Sequence, residues 1–121
     1  MESNPGQQPA YEYDTTVTVE TLRGGWREVV LTARQGRRQL VTRYQKPVAV
    51  LLPAADYAAM IATGEHPTAQ AYPARQARAE ISGILDRAEI SQEHTLVTSH
   101  TTPVLAVVPV AWYEQTAARP S

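Results

Sequence analysis

The sequence predicts an α+β fold in which two diverged copies of one βαββα unit form a pseudo-twofold dimer within a single chain. Three observations support this prediction. One segment recurs at a constant offset, an amphipathic helical pattern occurs twice, and a strongly apolar strand follows each copy of that pattern. A length of 121 residues suits one domain, and an apolar share of 43% is ordinary for a globular protein.

The recurring segment spans residues 40–57 and residues 96–113. At an offset of 56, eight of 18 positions are identical, and in the first copy these are Leu40, Val41, Thr42, Pro47, Val48, Pro53, Ala55 and Tyr57. A unit of about 55 residues buries only a modest part of its own surface. We therefore expect the two copies to bury their apolar elements against each other.

Upstream of each recurring segment, apolar residues follow the helical spacing i, i+4, i+7, i+8 and i+11. They are Leu22, Trp26, Val29, Val30 and Ala33 in the first copy and Ala77, Ile81, Ile84, Leu85 and Ala88 in the second. The offset here is 55, so a one-residue insertion is predicted in the second connection from helix to strand. Gly36 is suited to the C-terminal end of the first helix.

Three strands and one short helix complete each predicted copy. The apolar third strand of each copy is nearly unbroken, which indicates that both of its faces are covered. The predicted strands are Thr15–Val19, Gln39–Arg43 and Val48–Leu52, then Ala69–Tyr72, Thr95–Ser99 and Val104–Val108, and the short helices begin near Ala54 and Val110. The predicted organisation is a flexible N-terminal tail (1–13), a first repeat (14–63), a linker (64–68), a second repeat (69–117) and a C-terminal tail (118–121).

Several classes of function find no support in the sequence. The chain has no cysteine, no stretch of about 18 apolar residues and no apolar signal-peptide core, so a cytoplasmic protein without a membrane partner is expected. His66, His94 and His100 lack ligand spacing and are expected at the surface. No nucleophile elbow or glycine-rich phosphate loop is present. We expect no enzymatic activity, no metal and no cofactor.

Charge is distributed unevenly along the chain, although the formal net charge is only −1. Residues 21–46 carry seven cations and one carboxylate, a local charge of +6, whereas residues 74–102 carry three arginines and four carboxylates, a local charge of −1. Because local charge decides where a polyanion binds, the first copy is the expected binding region. The alternative interpretation is an ordinary solvated basic face.

The basic residues of the first copy are the candidate DNA-binding set. Arg23, Arg27 and Arg34 fall within about 40° of one line on a helix. In the second copy only the counterpart of Arg23 keeps its charge, as Arg78. The complete predicted set, able to contact phosphates or guanine edges, is Arg23, Arg27, Arg34, Arg37, Arg38, Arg43, Lys46 and Arg78. We expect the first copy to dominate affinity, so that a twofold DNA site requires two chains.

Two motifs resemble the DNA-binding domain of the Phd/YefM family of bacterial antitoxins. In the first copy they are Leu22-Arg23 and the run from Thr42 to Pro53, TRYQKPVAVLLP, with Asp56-Tyr57 after it. In the second copy they are Ala77-Arg78-Ala79-Glu80-Ile81 and the run from Thr102 to Pro109, TPVLAVVP, with Trp112-Tyr113 after it. Together the matches cover residues 15–114, and the run in the first copy is the most specific part.

The resemblance implies a domain that dimerises, binds operator DNA and represses its own operon, with contacts best transferred to Arg23, then to Arg43 and Lys46. It also implies a toxin-binding C-terminal segment, for which this sequence leaves little length because Ser121 follows Tyr113 by only eight residues. A transcriptional repressor binding double-stranded DNA is therefore the leading prediction. The alternatives are an antitoxin with a toxin partner and a protein-interaction module that has lost DNA binding.

Two local questions stay open at the level of sequence. Gly24 and Gly25 fall in the first turn of the predicted helix, so either the helix begins near Trp26 or the backbone requires a close approach there. Trp112 either caps the core or forms an exposed anchor for a partner.

Overall fold

The structure, a computed structural model, describes residues 13–62 and 68–117. The predicted tails and linker fall almost entirely outside the described residues. The described residues form six strands and six helices, and the order strand, helix, helix, strand, strand, helix is the same in both halves of the chain. The first half contains β1 (Thr15–Thr18), α1 (Val19–Gly24), α2 (Trp26–Arg34), β2 (Gln39–Arg43), β3 (Lys46–Pro53) and α3 (Ala54–Ile61). The second half contains β4 (Ala69–Pro73), α4 (Ala74–Ala79), α5 (Ile81–Ser91), β5 (His94–Ser99), β6 (Thr102–Val108) and α6 (Val110–Ala117).

The six strands form one mixed sheet in the order β1-β2-β3-β6-β5-β4, which agrees with the predicted α+β class. The pairing of β2 with β3 recurs between β5 and β6 at an offset of 56, including an irregularity after Val41 that recurs after Val97. β3 and β6 pair antiparallel, with Leu51 opposite Val107. Because these two residues are themselves related by the offset of 56, an approximate twofold axis passes between them.

Helices cover both faces of the sheet, as the apolar runs predict. One cluster of buried residues joins the sheet to α1, α2, α4 and α5, and Leu51 and Val107 point into it. The opposite cluster contains Val50, Leu52, Tyr57 and Tyr113, with α3 and α6 packed over them. Every residue of β3 from Val48 to Leu52 is buried. From Ala49 to Leu52 successive side chains enter opposite clusters, and Val48 enters the same cluster as Ala49.

Each copy has two helices that meet at a kink, where the sequence predicted one amphipathic helix. In the first copy α2 begins at Trp26, which is one of the two alternatives left open by Gly24 and Gly25. Gly25 separates α1 from α2, and Glu80 separates α4 from α5 at the equivalent position. Helical hydrogen bonds continue across both kinks, from the N–H of Gly25 to Thr21 and from the N–H of Glu80 to Gln76. Since Glu80 bends the chain as Gly25 does, glycine is not the cause of the kink. The predicted stripe is nevertheless buried on both sides of the bend, except for the half-buried Val30.

The end of α2 and the connection after it follow the prediction. Gly36 has φ +87° and donates its N–H to the carbonyl of Ala33, while Arg37 donates to Thr32, a pattern that closes a helix end. At the corresponding position of the second half Gln92 has φ 57°. A non-glycine residue is tolerated there because its side chain donates to the carbonyl of Glu89.

The helices of each half pack over strands of the other half. α2 contacts β6 as well as β3, and α5 contacts β3 as well as β5 and β6. On the opposite face, α3 contacts β6 and α6 contacts β3. The two halves therefore share both buried clusters. Among the described residues, no helix combines the length and the apolar character needed to cross a membrane.

Candidate functional site

Because the axis relates the two halves, equivalent groups of residues lie at the two ends of strands β3 and β6. The first end comprises α1, the turn between β2 and β3, and the outer stripe of α5, which consists of Ser82, Asp86 and Glu89. A cleft of about 450 Å³ opens there between α1 and the turn. It is lined by Thr18, Val19, Glu20, Arg23, Thr42, Arg43, Tyr44 and Gln45.

The arginines of the first end are paired with α5. Arg23 donates a hydrogen bond from Nη2 to the Oγ of Ser82. Arg43 lies 3.4 Å from a carboxylate oxygen of Asp86 and 3.7 Å from one of Glu89. These contacts join the two halves of the chain and leave the first end electrically balanced.

The second end follows from the same twofold relationship. It comprises α4, the turn between β5 and β6, and the outer stripe of α2, which consists of Arg27, Leu31 and Arg34. Arg78 is equivalent to Arg23 and Arg27 is equivalent to Ser82, so the twofold relationship predicts that Arg78 and Arg27 are neighbours, as Arg23 and Ser82 are. Arg34 is equivalent to Glu89, so the same relationship predicts that it lies near the second turn.

Counted over seven equivalent positions, the two ends differ by four charges. The exposed Glu80 directly after α4, whose equivalent is Gly25, reduces that difference to three. The first end carries three cations and three carboxylates, which are Arg23, Arg43 and Lys46 with Glu20, Asp86 and Glu89. These six residues and Ser82 have seven equivalents at the second end. Four of the equivalents are arginines and none is a carboxylate; the arginines are Arg27, Arg34, Arg75 and Arg78. All four are exposed, and within the described part of the chain none makes an ion pair.

The structure divides the predicted basic residues of the first copy between the two ends. Since α2 and α5 cross the axis, Arg27 and Arg34 lie at the second end, whereas Arg23, Arg43 and Lys46 lie at the first. Order along the chain does not indicate this division, and Arg75 was not among the predicted residues. The repeat itself carries the relevant signal, because Arg75 replaces Glu20 at the equivalent position.

Arg38 is also not part of a basic surface, because its side chain lies on the opposite face of the sheet. Its Nε is 2.8 Å from a carboxylate oxygen of Asp56, and its Nη1 donates to the hydroxyl of Tyr113 over 2.8 Å. Burial by itself lowers the pKa of Arg38, but the hydrogen bonds with Asp56 and Tyr113 outweigh it, so the pKa is raised. Arg38 is a structural residue, whereas Arg37 beside it is exposed and forms no ion pair with another described residue.

The expectation that all three histidines are at the surface is wrong for His94, which is only 4% exposed. Its Nδ1 lies 3.0 Å from the hydroxyl of Tyr57, and its ring meets that of Trp112 edge to face with centroids 4.7 Å apart. Burial lowers the pKa of His94 to about 4. Trp112 thus caps the core instead of standing as an exposed anchor. His100 is exposed in a turn, and His66 lies outside the described residues.

Both hairpin turns use backbone conformations that favour glycine without containing glycine. Tyr44 and Gln45 have φ 52° and 66°, and their equivalents His100 and Thr101 have φ 52° and 67°. Two consecutive left-handed residues are typical of type I′ turns, whose twist matches that of the strands. The turn of the first end presents an aromatic ring, since Tyr44 is 91% exposed.

Among the described residues, no cluster of three or more histidine or carboxylate side chains is arranged to hold a metal ion. No family model, curated protein or solved structure matches the chain.

Proposed function

We propose that this protein binds double-stranded DNA and acts as a transcriptional regulator, most simply a repressor. The observation that carries the proposal is the group of exposed arginines at the second end, Arg27, Arg34 and Arg78, to which Arg75 adds a fourth charge; none of them makes an ion pair with another described residue. Like charges gathered on one surface repel one another, and a polyanion relieves that repulsion. Phosphate oxygens are strong acceptors for the guanidinium group.

The rigidity of the supporting elements favours this proposal. Arg27 and Arg34 extend from α2, whose inner residues Trp26, Val29 and Ala33 are buried in the core. Side chains on a packed helix keep a fixed spacing, and fixed spacing is needed to match successive phosphates. A flexible basic tail would provide charge without that register.

The resemblance to Phd/YefM antitoxins supports the same function from the sequence. We propose that the two halves correspond to two DNA-binding units of that kind, joined in one chain where the family uses a homodimer. Arg23 and Arg78 occupy the arginine position of the family motif in the two halves. The proposed contacts nevertheless differ between the halves, because Arg23 already donates to Ser82 whereas Arg78 has no acceptor among the described side chains.

The proposed DNA-contacting set therefore differs from the set predicted by sequence. Arg27, Arg34 and Arg78 remain its centre, and Arg75 joins them. Arg38 leaves the set because it is bound internally to Asp56. Arg23, Arg43 and Lys46 become secondary, since the carboxylates of α5 offset their charge, and Arg37 stays an exposed cation that is free to contact a flanking phosphate.

Salt titration of DNA affinity tests the proposal. Genomic fragments retained by the purified full chain would first supply a duplex for the measurement. Each phosphate contact adds about 0.9 to the slope of log K against log salt concentration. We expect the triple variant Arg27→Ala, Arg34→Ala, Arg78→Ala to lose about three from the wild-type slope.

The matched control compares two single variants, in which one or the other of the equivalent arginines Arg23 and Arg78 is replaced by alanine. Arg78→Ala is expected to weaken binding more than Arg23→Ala, the reverse of the order predicted from charge along the chain. Equal losses would contradict the assignment to the second end. No binding of the wild-type chain to any fragment at 50 mM salt would overturn the proposed function.

One observation favours a second candidate, a protein-interaction module. The first end is electrically balanced and presents the exposed ring of Tyr44, features more common in protein interfaces than in phosphate-binding surfaces. This candidate predicts that the chain binds no DNA at any salt concentration. The titration above therefore distinguishes the two functions.

A further inference from the structure

We propose that one chain binds a non-palindromic DNA site in a fixed orientation, with its second end on the phosphates of one segment and its first end about one helical turn away. The inference rests on the proposed function and concerns the architecture of the DNA site. A symmetric dimer presents identical surfaces to two half-sites and thereby selects a palindrome. This chain keeps the twofold frame but presents two different surfaces.

The separation of the two ends follows from the strand register. Leu51 and Val107 are opposite each other at the axis, and the two turns lie just beyond Lys46 and Thr102. Lys46 and Thr102 are each five positions from the axis, in opposite directions. At roughly 3.3 Å per residue, ten steps separate the turns by about 33 Å. Half-sites one turn apart on B-DNA are about 34 Å apart, so one chain has the reach to span both.

The chemistry of the two ends supplies the orientation. The second end offers four arginines against one flanking carboxylate, the exposed Glu80 after α4, and therefore binds where backbone charge is concentrated. The first end combines Lys46 and Tyr44 at its turn with the carboxylates of Asp86 and Glu89 behind them. Carboxylates repel phosphates, so this end is limited to the few contacts that its protruding turn can make. If the chain were reversed on a given DNA site, each end would meet the other DNA segment and the binding free energy would change.

The shared core makes a single chain sufficient. Because α2 and α5 each pack over a strand of the other half, the two ends cannot move independently without disrupting the buried cluster. Two copies of the basic surface would be needed only if the site were a palindrome. The expectation that a twofold DNA site requires two chains still applies to a palindrome, whereas a non-palindromic site takes one chain.

Directed cleavage of bound DNA tests the orientation, and the chain is well suited to it because it contains no cysteine. Gln45→Cys and Thr101→Cys are a matched pair, since both residues are exposed, have left-handed φ and occupy equivalent turns. Each variant is coupled to an iron–EDTA reagent and bound to a 30-base-pair duplex enriched from a random library by the wild-type chain. Thermal unfolding of both conjugates establishes that the fold is retained.

We expect each conjugate to cut the duplex at one position only, with the two positions about ten base pairs apart and one chain bound per duplex. The enriched sequence is expected to lack twofold symmetry. A palindromic consensus, or two symmetric cuts from each conjugate, would overturn the fixed orientation while leaving DNA binding intact. Uniform cleavage along the duplex would do the same. Failure of the wild-type chain to enrich any duplex would instead overturn the proposed function, and the inference with it.

Discussion

Arg38 donates a hydrogen bond from Nη1 to the hydroxyl oxygen of Tyr113 over 2.8 Å, and so connects the start of β2 to the last helix, α6. The equivalent residues His94 and Tyr57 make the corresponding contact at 3.0 Å. In each half a tyrosine therefore reaches into the other half and meets the residue just before or at the start of a strand. One contact is completed by an ion pair with Asp56, and the other by the ring of Trp112.

The contact between Arg38 and Tyr113 is expected to stabilise the fold. Arg38→Ala removes hydrogen bonds to Asp56 and Tyr113, and it should lower the free energy of unfolding by about 2 kcal/mol. Urea unfolding measures this loss. Arg37→Ala is the control, because removal of an exposed cation that pairs with no other described residue should change stability by less than about 0.5 kcal/mol. DNA affinity should be unchanged by Arg38→Ala, and a clear decrease would show that Arg38 contacts DNA after all.

The buried His94 is expected to make stability depend on pH. Its pKa falls from 6.5 to about 4 because burial disfavours the imidazolium form. Between these values the unfolded chain binds more protons than the folded chain, so stability decreases as the pH falls from 6.5 towards 4. A shift of that size corresponds to about 3 kcal/mol. Urea unfolding at intervals from pH 7 to pH 4 measures it.

Two histidine variants serve as the controls for this pH dependence. His94→Gln should flatten the profile between pH 6.5 and pH 4, whereas His100→Gln should leave the wild-type profile in place. If the wild-type and His94→Gln profiles were parallel, another group would have to account for the slope.

The first hairpin turn is expected to become more stable when a glycine is introduced. Gln45 has φ 66°, a conformation that glycine adopts without steric cost. Gln45→Gly should raise the free energy of unfolding by about 0.5–1 kcal/mol. Gln45→Ala is the matched control, because it removes the same side chain and retains the Cβ atom. An equal effect of both variants would show that the side chain, not the backbone conformation, sets the stability of the turn.

Removing the carboxylates of α5 is expected to strengthen DNA binding. Asp86→Ala with Glu89→Ala releases Arg43 from its pairing, and its freed charge should increase the salt slope by about 1. Stability should change by less than about 1 kcal/mol, because both carboxylates are about half exposed. Affinity is measured by fluorescence anisotropy on a duplex that the wild-type chain binds.

A control with the same net charge separates position from overall charge. Glu93→Ala with Glu114→Ala also removes two carboxylates, but Glu93 pairs with Arg87 and Glu114 lies on α6, which covers the other face of the sheet. This pair should increase affinity far less. Equal increases would mean that net charge alone governs binding.

Local sequence was sufficient to predict the elements of the fold. The strand Gln39–Arg43 has its predicted limits, and the helices after Pro53 and Pro109 begin at Ala54 and Val110 as expected. These features depend on alternating burial, helical spacing and the missing N–H of proline, all of which act over a few residues. The kinks at Gly25 and Glu80 escaped prediction because apolar spacing continues through a bend that changes the dihedral angles of only one residue.

The repeat, its offset and the burial of its apolar stripes were determined by the sequence, since hydrophobic periodicity records which side of each element avoids water. Tertiary structure alone decided which half each helix packs against, and hence where the charges lie. Arg27 and Arg34 lie at the second end and Arg38 lies on the opposite face of the sheet, because the packing of whole helices and strands decides which side chains of the two halves become neighbours. The distribution of charge along the sequence predicts the distribution of charge on the surface only when the packing of the helices and strands is known.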